Sequence, residues 1–308
     1  MKVSIIIATK NRAKLLTECL DRLTPQLCRG DEIVVVDNGS TDDTKSTVLS
    51  YRRFRVRYVY EGRPGASYAR NIGFSLVTTE GIAFLDDDAL VFPNWLREVK
   101  RTLLINRHRH PRAVYQGKMI QYYKKQGLYE SIRVARFTRD LLVNGMHDGV
   151  KELAPIRTLI VANIFSYQST LRELSGPFNA SVFPFVGEEM ELACRLIQKG
   201  IRLFYAPKAR VIHTKYSVTL RRAMGSAYQY GRMKALLDRW YFSDPVFLLQ
   251  YNRYLPDGRA LSFDDPVYVP LRKSIATRMG VWWYEFWVQL AYRSALLVYH
   301  FIPYKKIP

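Results

Sequence analysis

Strands and helices alternate through the first half of the sequence, and this alternation constrains the fold more than any other feature. A continuous run of apolar, mostly β-branched residues at 3–8 predicts a strand that is covered on both faces. Residues 12–24 carry apolar side chains at helical spacing and predict the helix that follows it. Because this order then repeats, we predict an α/β fold with a doubly wound, mostly parallel sheet flanked by helices.

The repeats extend to about residue 213. Further strands are predicted at 33–36, 56–60, 81–85 and 114–120, with two short strands at 202–206 and 209–213. Helices are predicted from about residue 42, over 66–77, from Pro93, over 128–143, and over 188–199 with Gly200 at the end. The alternation stops after His213, which predicts an α/β domain over 1–215 and a basic, amphipathic helical region over 216–308.

The charge balance indicates an anionic partner. Lys and Arg number 47 against 27 acidic residues, a formal net charge of +20. Nucleic acid, acidic lipid and phosphorylated small molecules all remain open on this evidence. The three cysteines show no CxxC spacing, which disfavours a disulfide framework or a zinc site and fits a reducing cytosol. The apolar run near Met1 is too short to predict a signal peptide.

Acidic residues follow two of the predicted strands. Asp37 ends the second strand, and the run Asp86-Asp87-Asp88 ends the fourth. Ligands of such sheets bind beyond the carboxyl ends of the strands, so we expect both acidic turns to line one crevice. Carboxylates one residue apart can hold a hard divalent cation, although a solvated turn that caps the next helix is an equal alternative. Asp37 can accept from a base or a ribose, but an Asx turn is the simpler interpretation.

Two later segments begin helices. The segment GASYARNIG at 65–73 has small residues that allow close packing, and Arg63 and Arg70 could reach a diphosphate. An ordinary tightly packed helix is the alternative. The segment at 187–192 puts Glu188 and Glu189 in a first helical turn, where the helix dipole favours negative charge whatever their role.

Taken in order, these segments resemble the inverting family 2 glycosyltransferases of the GT-A fold, over about residues 1–215. The matching segments are VSIIIATKNR (3–12), EIVVVDNGSTDDT (32–44), GRPGASYARNIG (62–73), IAFLDDD (82–88), ANIFSYQSTLRELSGPFN (162–179), GEEMELACRLIQKG (187–200) and APKARVIH (206–213). The resemblance implies metal-dependent, inverting transfer of a sugar from a nucleotide diphosphate sugar to an acceptor hydroxyl.

The resemblance also implies roles for single residues near the donor. Asp86 and Asp88 would form the metal-binding DXD motif for Mn²⁺ or Mg²⁺, with His213 as an additional ligand. Asp37 would contact the base, usually uracil, which predicts a UDP-sugar. The residues expected to bind the nucleotide sugar are Thr9, Asn11, Arg12, Asp37, Arg70 and Asp86.

Glu189 occupies the position where the family usually has the aspartate that acts as catalytic base. Glu188 would hydrogen-bond the acceptor or cap the helix. Because the helix dipole favours its charged form, Glu189 is expected to be ionised and only weakly basic. The chain departs from the family pattern here and at Ala8-Thr9-Lys10-Asn11, where the family often has Pro-x-Tyr-Asn.

The apolar, aromatic segment at 281–302 is long enough to span a bilayer as a helix. However, Glu285, Gln289 and Arg293 form a polar stripe, and each charge in lipid would cost about 2.5–3.5 kcal/mol. We therefore expect an amphipathic helix that either lies on an anionic membrane, aided by the basic segment 217–240, or packs on the catalytic domain. This predicts peripheral attachment at the cytoplasmic face and a lipid-linked or cell-surface glycan acceptor, as in polysaccharide biosynthesis.

Two other classes of protein fit less well. A sugar nucleotidylyltransferase would carry a GxGxR loop after the first strand, where this chain has Ala8-Thr9-Lys10-Asn11. A basic nucleic-acid-binding protein would carry a recognisable reading module, and it would leave the run at 86–88 unexplained. The expected partners are therefore a nucleotide sugar and a glycan acceptor, and no nucleic acid.

Overall fold

The computed structural model describes residues 1–123, 153–174, 176–215, 220–252, 286–287 and 289–299. The described residues divide into two compact units. The first lies within Met1–Tyr122 and Asp148–Thr214, and the second within Tyr123–His147 and Lys215–Pro308. The division into domains at residue 215 stays a prediction, and the predicted helix at 128–143 lies outside the described residues.

A nine-stranded sheet forms the centre of the first unit. Its strands are β1 (Val3–Thr9), β2 (Glu32–Asp37), β3 (Val56–Tyr60), β4 (Gly81–Asp86), β5 (Ala89–Val91), β6 (Ala113–Tyr123), β7 (Ala154–Pro155), β8 (Asn163–Tyr167) and β9 (Arg202–Lys215). The helices of this unit are α1 (Ala13–Leu23), α2 (Thr44–Ser50), α3 (Ala66–Leu76), α4 (Trp95–Asn106), α5 (Gln168–Arg172) and α6 (Glu188–Gln198). The predicted α/β fold with flanking helices is confirmed.

The sheet is mixed. Its order is β3-β2-β1-β4-β8-β6-β9-β5, with β7 paired to β9. The first four strands are parallel, whereas β8 is antiparallel to β4 and β6, and β9 is antiparallel to β5 and β7. The predicted mostly parallel arrangement therefore holds for one half only. Only Asp87 and Asp88 separate β4 from β5 along the chain, but three strands, β8, β6 and β9, lie between them in the sheet.

Helix α3 packs very closely on the parallel half of the sheet. A Cβ atom at Gly73 would lie 2.5 Å from Cγ2 of Ile6 in β1 and 3.2 Å from Cγ2 of Val36 in β2. Only glycine allows this approach, which confirms that small residues here permit tight packing. The first residues of α3 are thereby held near the ends of these two strands.

Two local predictions were wrong in detail. Helix α4 begins at Trp95, and Pro93 lies in the preceding turn, where the Trp95 amide donates to the Phe92 carbonyl at 3.0 Å. The two short strands predicted at 202–206 and 209–213 are one strand, β9. Pro207 lies between the β9 residues that pair with β7 and those that pair with β5, so its missing N–H interrupts neither pairing.

The second unit is helical in its described part. It contains α7 (Leu220–Leu237), a π-helical turn (Asp238–Phe242), α8 (Pro245–Asn252) and a helix over 289–299. A Cβ atom at Gly231 would lie only 2.2 Å from the Tyr292 carbonyl oxygen, so α7 and the last helix cross at this glycine. Among the described helices, none combines the length and apolar character that crossing a bilayer requires.

Candidate active site

The carboxyl ends of β1, β2 and β4 lie side by side. In the parallel ladders Thr9 is level with Asp37, and Ala8 is level with Asp86. The acidic turns that follow β2 and β4 therefore lie at the same edge of the sheet, as the sequence predicted. This edge is where ligands of parallel sheets bind.

Asp37 is buried and held by two hydrogen bonds. Its Oδ1 accepts from the Ser40 amide at 2.8 Å, and its Oδ2 accepts from the Tyr58 hydroxyl at 2.9 Å. Burial and this hydrogen bond raise the pKa of Tyr58 to about 12, so the phenol remains a donor. The turn hydrogen bond predicted for Asp37 is present, and its contact with a base stays a prediction.

Two asparagines fasten the loops around Asp37. Asn11, at a positive φ of 53°, accepts from the Thr41 amide at 2.7 Å, which ties the loop after β1 to the loop after β2. Asn38 donates to the carbonyls of Glu61 and Arg63 and accepts from the Gly65 amide. The sequence analysis did not single out Asn38, although its place directly after Asp37 was a signal. Asn11 lies by these loops, and its contact with the nucleotide stays a prediction.

Asp86, Asp88 and His213 converge into one cluster. Nε2 of His213 lies 2.8 Å from Oδ1 of Asp88 and 3.6 Å from Oδ2 of Asp86. Each residue offers a ligand atom within 4.8 Å of the others. The cause is β5, which begins directly after Asp88 and pairs its first residue, Ala89, with His213 of β9. The grouping implied by the resemblance is therefore present in the fold.

Two arginines hold the outer sides of these carboxylates. Arg70 donates to Oδ1 of Asp86 at 3.0 Å, and Arg12 donates to Oδ2 of Asp88 at 3.2 Å. Each aspartate thus uses one oxygen for an arginine and turns the other toward His213. Two carboxylate oxygens and an imidazole nitrogen fit a divalent cation such as Mn²⁺ or Mg²⁺. The arginine hydrogen bonds explain why each carboxylate is oriented with its other oxygen toward His213.

Asp87 positions the residues around this cluster. It accepts from the Thr9 hydroxyl at 2.7 Å and from Arg12 at 2.8 Å. Burial raises the pKa of Asp87 to about 6, against the opposing charge of Arg12. Thr9 and Arg12, which were predicted near the nucleotide, are therefore brought to the acidic cluster. Asp87 was visible in the acidic run, but its partners depend on the fold.

Glu188 and Glu189 begin α6, directly after Gly187 in a left-handed conformation at φ 92°. Arg70 donates to Oε1 of Glu188 at 2.8 Å, and Glu188 is only 4% exposed. Burial, and then the charge of Glu188, raise the pKa of Glu189 well above its ordinary value. The expectation of a weakly basic, readily ionised Glu189 was therefore wrong in direction, because desolvation and a like charge outweigh the helix dipole.

Helix α3 fixes the loop that leads into α6. The Ser67 hydroxyl donates to the Phe183 carbonyl at 2.6 Å, and the Ser67 amide donates to the Pro184 carbonyl at 3.1 Å. Asn71 donates to the Phe178 carbonyl and accepts from the Phe178 amide. One helix therefore supplies Arg70 to the acids and holds the backbone that carries Glu188 and Glu189.

The family model and the curated relatives that match this chain are glycosyltransferases. The family model described as Glycosyl transferase family 2 matches residues 4–164, more than half of the chain. Validoxylamine A glucosyltransferase of Streptomyces hygroscopicus subsp. jinggangensis is 39% identical over 102 residues, which are 32% of this chain and 24% of that protein. The chain thus aligns with only a small part of that relative.

Solved structures of similar fold cover almost the whole chain. S. aureus TarS 1-349 in complex with UDP has a TM-score of 0.54 at 18% identity, covering 97% of this chain and 91% of that one. The mannosyltransferase PcManGT from Pyrobaculum calidifontis, in complex with GDP-Man and Mn²⁺, has a TM-score of 0.55 at 19% identity, covering 96% and 72%. At these identities the likeness concerns the fold, and it identifies the first unit as GT-A.

Proposed function

This chain belongs to glycosyl transferase family 2, and we propose that it transfers a sugar from a nucleotide diphosphate sugar to an acceptor hydroxyl, with inversion at the anomeric carbon. The observation that carries the proposal is the bridge made by Arg70. Its guanidinium lies 3.0 Å from a carboxylate of the Asp86–Asp88–His213 cluster and 2.8 Å from the glutamate pair. A site for a phosphorylated leaving group therefore adjoins a site for a proton acceptor.

The cluster side would hold the donor. Asp86, Asp88 and His213 would hold Mn²⁺ or Mg²⁺, which when bound supplies positive charge to a leaving diphosphate. Thr9 and Arg12 lie beside this cluster because both donate hydrogen bonds to Asp87. About half of the Arg12 side chain is exposed. The mannosyltransferase with Mn²⁺ supports a metal at a fold of this kind.

The glutamate side would activate the acceptor. In an inverting transfer the acceptor oxygen attacks the anomeric carbon from the face opposite the diphosphate, and a carboxylate takes the hydroxyl proton. We assign this role to Glu189, because its raised pKa makes its ionised form a stronger base than an ordinary glutamate. Glu188, held by Arg70, would orient its neighbour and hydrogen-bond the acceptor.

Asp37 supports a uridine donor. Its two hydrogen bonds fix the carboxylate at the strand edge, and each oxygen retains lone-pair capacity for a base N–H. The neighbours of similar fold hold UDP in one case and GDP-Man in another, so local residues must decide the base. UDP should bind more tightly than GDP in calorimetry, with TDP between them, and tighter GDP binding would contradict this assignment.

The exposed face of the last helix supports attachment to an anionic membrane. The large apolar side chains exposed on this helix and on the two described residues that precede it are Phe286, Trp287, Leu290, Leu297 and Val298, with Leu297 68% exposed. Such a face fits the interfacial helix predicted for 281–302, with basic residues of α7 adding attraction to anionic lipid. Flotation with anionic and neutral liposomes tests this. Equal recovery of the full chain and a chain truncated before Val281 would contradict the anchor.

The activity itself is tested with a panel of nucleotide sugars. The full chain with Mn²⁺ should release a nucleoside diphosphate from at least one donor, and release should rise with a suitable glycan acceptor. Asp88→Asn is the matched control and should abolish release. Failure to release any nucleotide, with or without glycan acceptors, would contradict the proposed function.

A further inference from the structure

Arg70 was expected to reach the donor diphosphate, but its surroundings indicate another role. The residue is 7% exposed, and its two terminal guanidinium nitrogens donate in different directions, one to Glu188 and one to Asp86. Its guanidinium also lies over the Phe178 ring, 5.7 Å from the centroid. The backbone of Phe178 is fixed by the side-chain amide of Asn71, which donates to its carbonyl and accepts from its amide. Glu188, Asp86 and the Phe178 ring therefore fix the position of the guanidinium on three sides.

The position of Arg70 has consequences for both carboxylates. Because Oδ1 of Asp86 accepts from the arginine, Oδ2 is the oxygen that faces His213. Because Oε1 of Glu188 accepts from the same group, this glutamate is held in place next to its neighbour Glu189. One charge thus sets the geometry of the candidate cation site and of the candidate base.

Arg12 provides a comparison within the same site. It holds Oδ2 of Asp88 in the way that Arg70 holds Oδ1 of Asp86. Its other hydrogen-bond partner is Asp87, and among the described residues Arg12 donates to neither glutamate of the pair. Arg12 therefore orients one cation carboxylate without bridging to the base.

We propose that Arg70 is a positioning residue that couples occupancy of the Asp86–Asp88–His213 cluster to the charge of Glu188. The carboxylate of Glu188 takes part of the field of the arginine and leaves Asp86 more negative. Where that charge is removed, as in Glu188→Gln, the full charge of Arg70 falls on Asp86 and weakens its attraction for a cation. The proposal rests on the proposed function, since it concerns the same cation site.

A double-mutant cycle tests the coupling without turnover. Mn²⁺ is titrated into the wild type, Glu188→Gln, Arg70→Gln and the double variant at a fixed UDP concentration, with free Mn²⁺ followed by electron paramagnetic resonance. Glu188→Gln should weaken Mn²⁺ binding by roughly tenfold, within the range that residues of one ion-pair network show. In the Arg70→Gln background the same change should have less than about a twofold effect.

Arg12→Gln is the matched control. Mn²⁺ binding by this variant is the baseline, and the effect of Glu188→Gln should persist in that background at about tenfold. If the effect also persists with Arg70→Gln, the glutamate acts on the cation directly and the coupling role is wrong. An effect that disappears in both arginine backgrounds would contradict it as well.

Two controls guard against variants that fail to fold: thermal melting and the variant Arg70→Lys. Thermal melting establishes that each variant is folded, and Arg70→Lys replaces Arg70→Gln where the latter is not. A single ammonium cannot donate as a planar fork to both carboxylates, so the effect of Glu188→Gln should fall to about threefold or less in the lysine background. Absence of Mn²⁺ binding to the wild type would overturn metal dependence itself, whereas normal binding without coupling would overturn only the role of Arg70.

Discussion

The Asp86–Asp88–His213 cluster and the glutamate pair, Glu188 and Glu189, differ in the charges that surround their carboxylates. Asp86 and Asp88 each have one oxygen held by an arginine and face a histidine with the other. At the glutamate pair, Arg70 donates to Glu188, and the charge of Glu188 then adds to burial in raising the pKa of Glu189. The first arrangement turns one oxygen of each aspartate toward the candidate cation position, and the second raises the pKa of one carboxyl so that it holds its proton more tightly. Neighbouring acids with divergent environments are typical of sites that assign charge binding and proton transfer to different residues.

The largest effect is expected when Glu189, the proposed base, loses its carboxylate. Glu189→Gln should lower kcat by about 10²–10⁴-fold, because a general base typically contributes that much, while donor binding changes little. Glu188→Gln should lower kcat less, and Glu189→Asp should retain part of the activity. Initial rates of nucleoside diphosphate release with acceptor, together with UDP affinity, measure both effects. Near-normal kcat in Glu189→Gln with a dead Glu188→Gln would exchange the two roles.

The pH dependence of kcat tests whether Glu188 raises the pKa of Glu189. Glu189 must be ionised to accept a proton, and its pKa is raised, so kcat should fall as the pH drops through a value above that of an ordinary glutamate. Glu188→Gln removes the negative charge that contributes to this shift, and the acid limb should move to lower pH. Profiles of kcat against pH for both proteins measure the movement. A limb that stays in place, or moves to higher pH, would show that Glu188 does not set the basicity of its neighbour.

The smallest expected effect concerns the loop that carries the glutamates. At Gly65, where φ is +143°, a Cβ would lie 2.7 Å from Cβ of Pro184 and 2.9 Å from its carbonyl oxygen. Gly65→Ala should therefore destabilise the protein by about 1–3 kcal/mol. Gly200→Ala is the control, since it also has a positive φ of +71° but no atom within 4 Å of the added Cβ. Denaturant unfolding measures both. Equal losses would attribute the effect to backbone strain alone, without the contact to Pro184.

Much of the cluster side could be predicted from the sequence. Strand periodicity and the acidic run located Asp37 and Asp86–Asp88 at strand ends, and the family resemblance supplied His213. The sequence did not show why His213 lies beside Asp88, because β5 has three residues and its partner strand begins more than a hundred residues later. A strand that short has no readable periodicity.

The glutamate side was predicted less well. The helix start at Gly187 was correct, but the pKa direction of Glu189 depends on burial and on the distance to Glu188, which a residue pattern does not give. Likewise, the segment at 65–73 indicated close packing, yet only the fold shows that Arg70 lies between Asp86 and Glu188. Local patterns predict elements and motifs, whereas side-chain bridges between distant segments depend on the tertiary arrangement.

The central claim is that Asp86, Asp88 and His213 form the cation site on which donor binding depends. The most direct test is calorimetry of UDP binding with Mn²⁺ and with EDTA, in the wild type and in Asp88→Asn, which keeps the shape of the side chain. We expect wild-type affinity to fall by at least about 100-fold in EDTA, and the affinity of Asp88→Asn to be low and nearly independent of Mn²⁺. Equal wild-type affinity with and without metal, or a normal response to Mn²⁺ in Asp88→Asn, would contradict the claim.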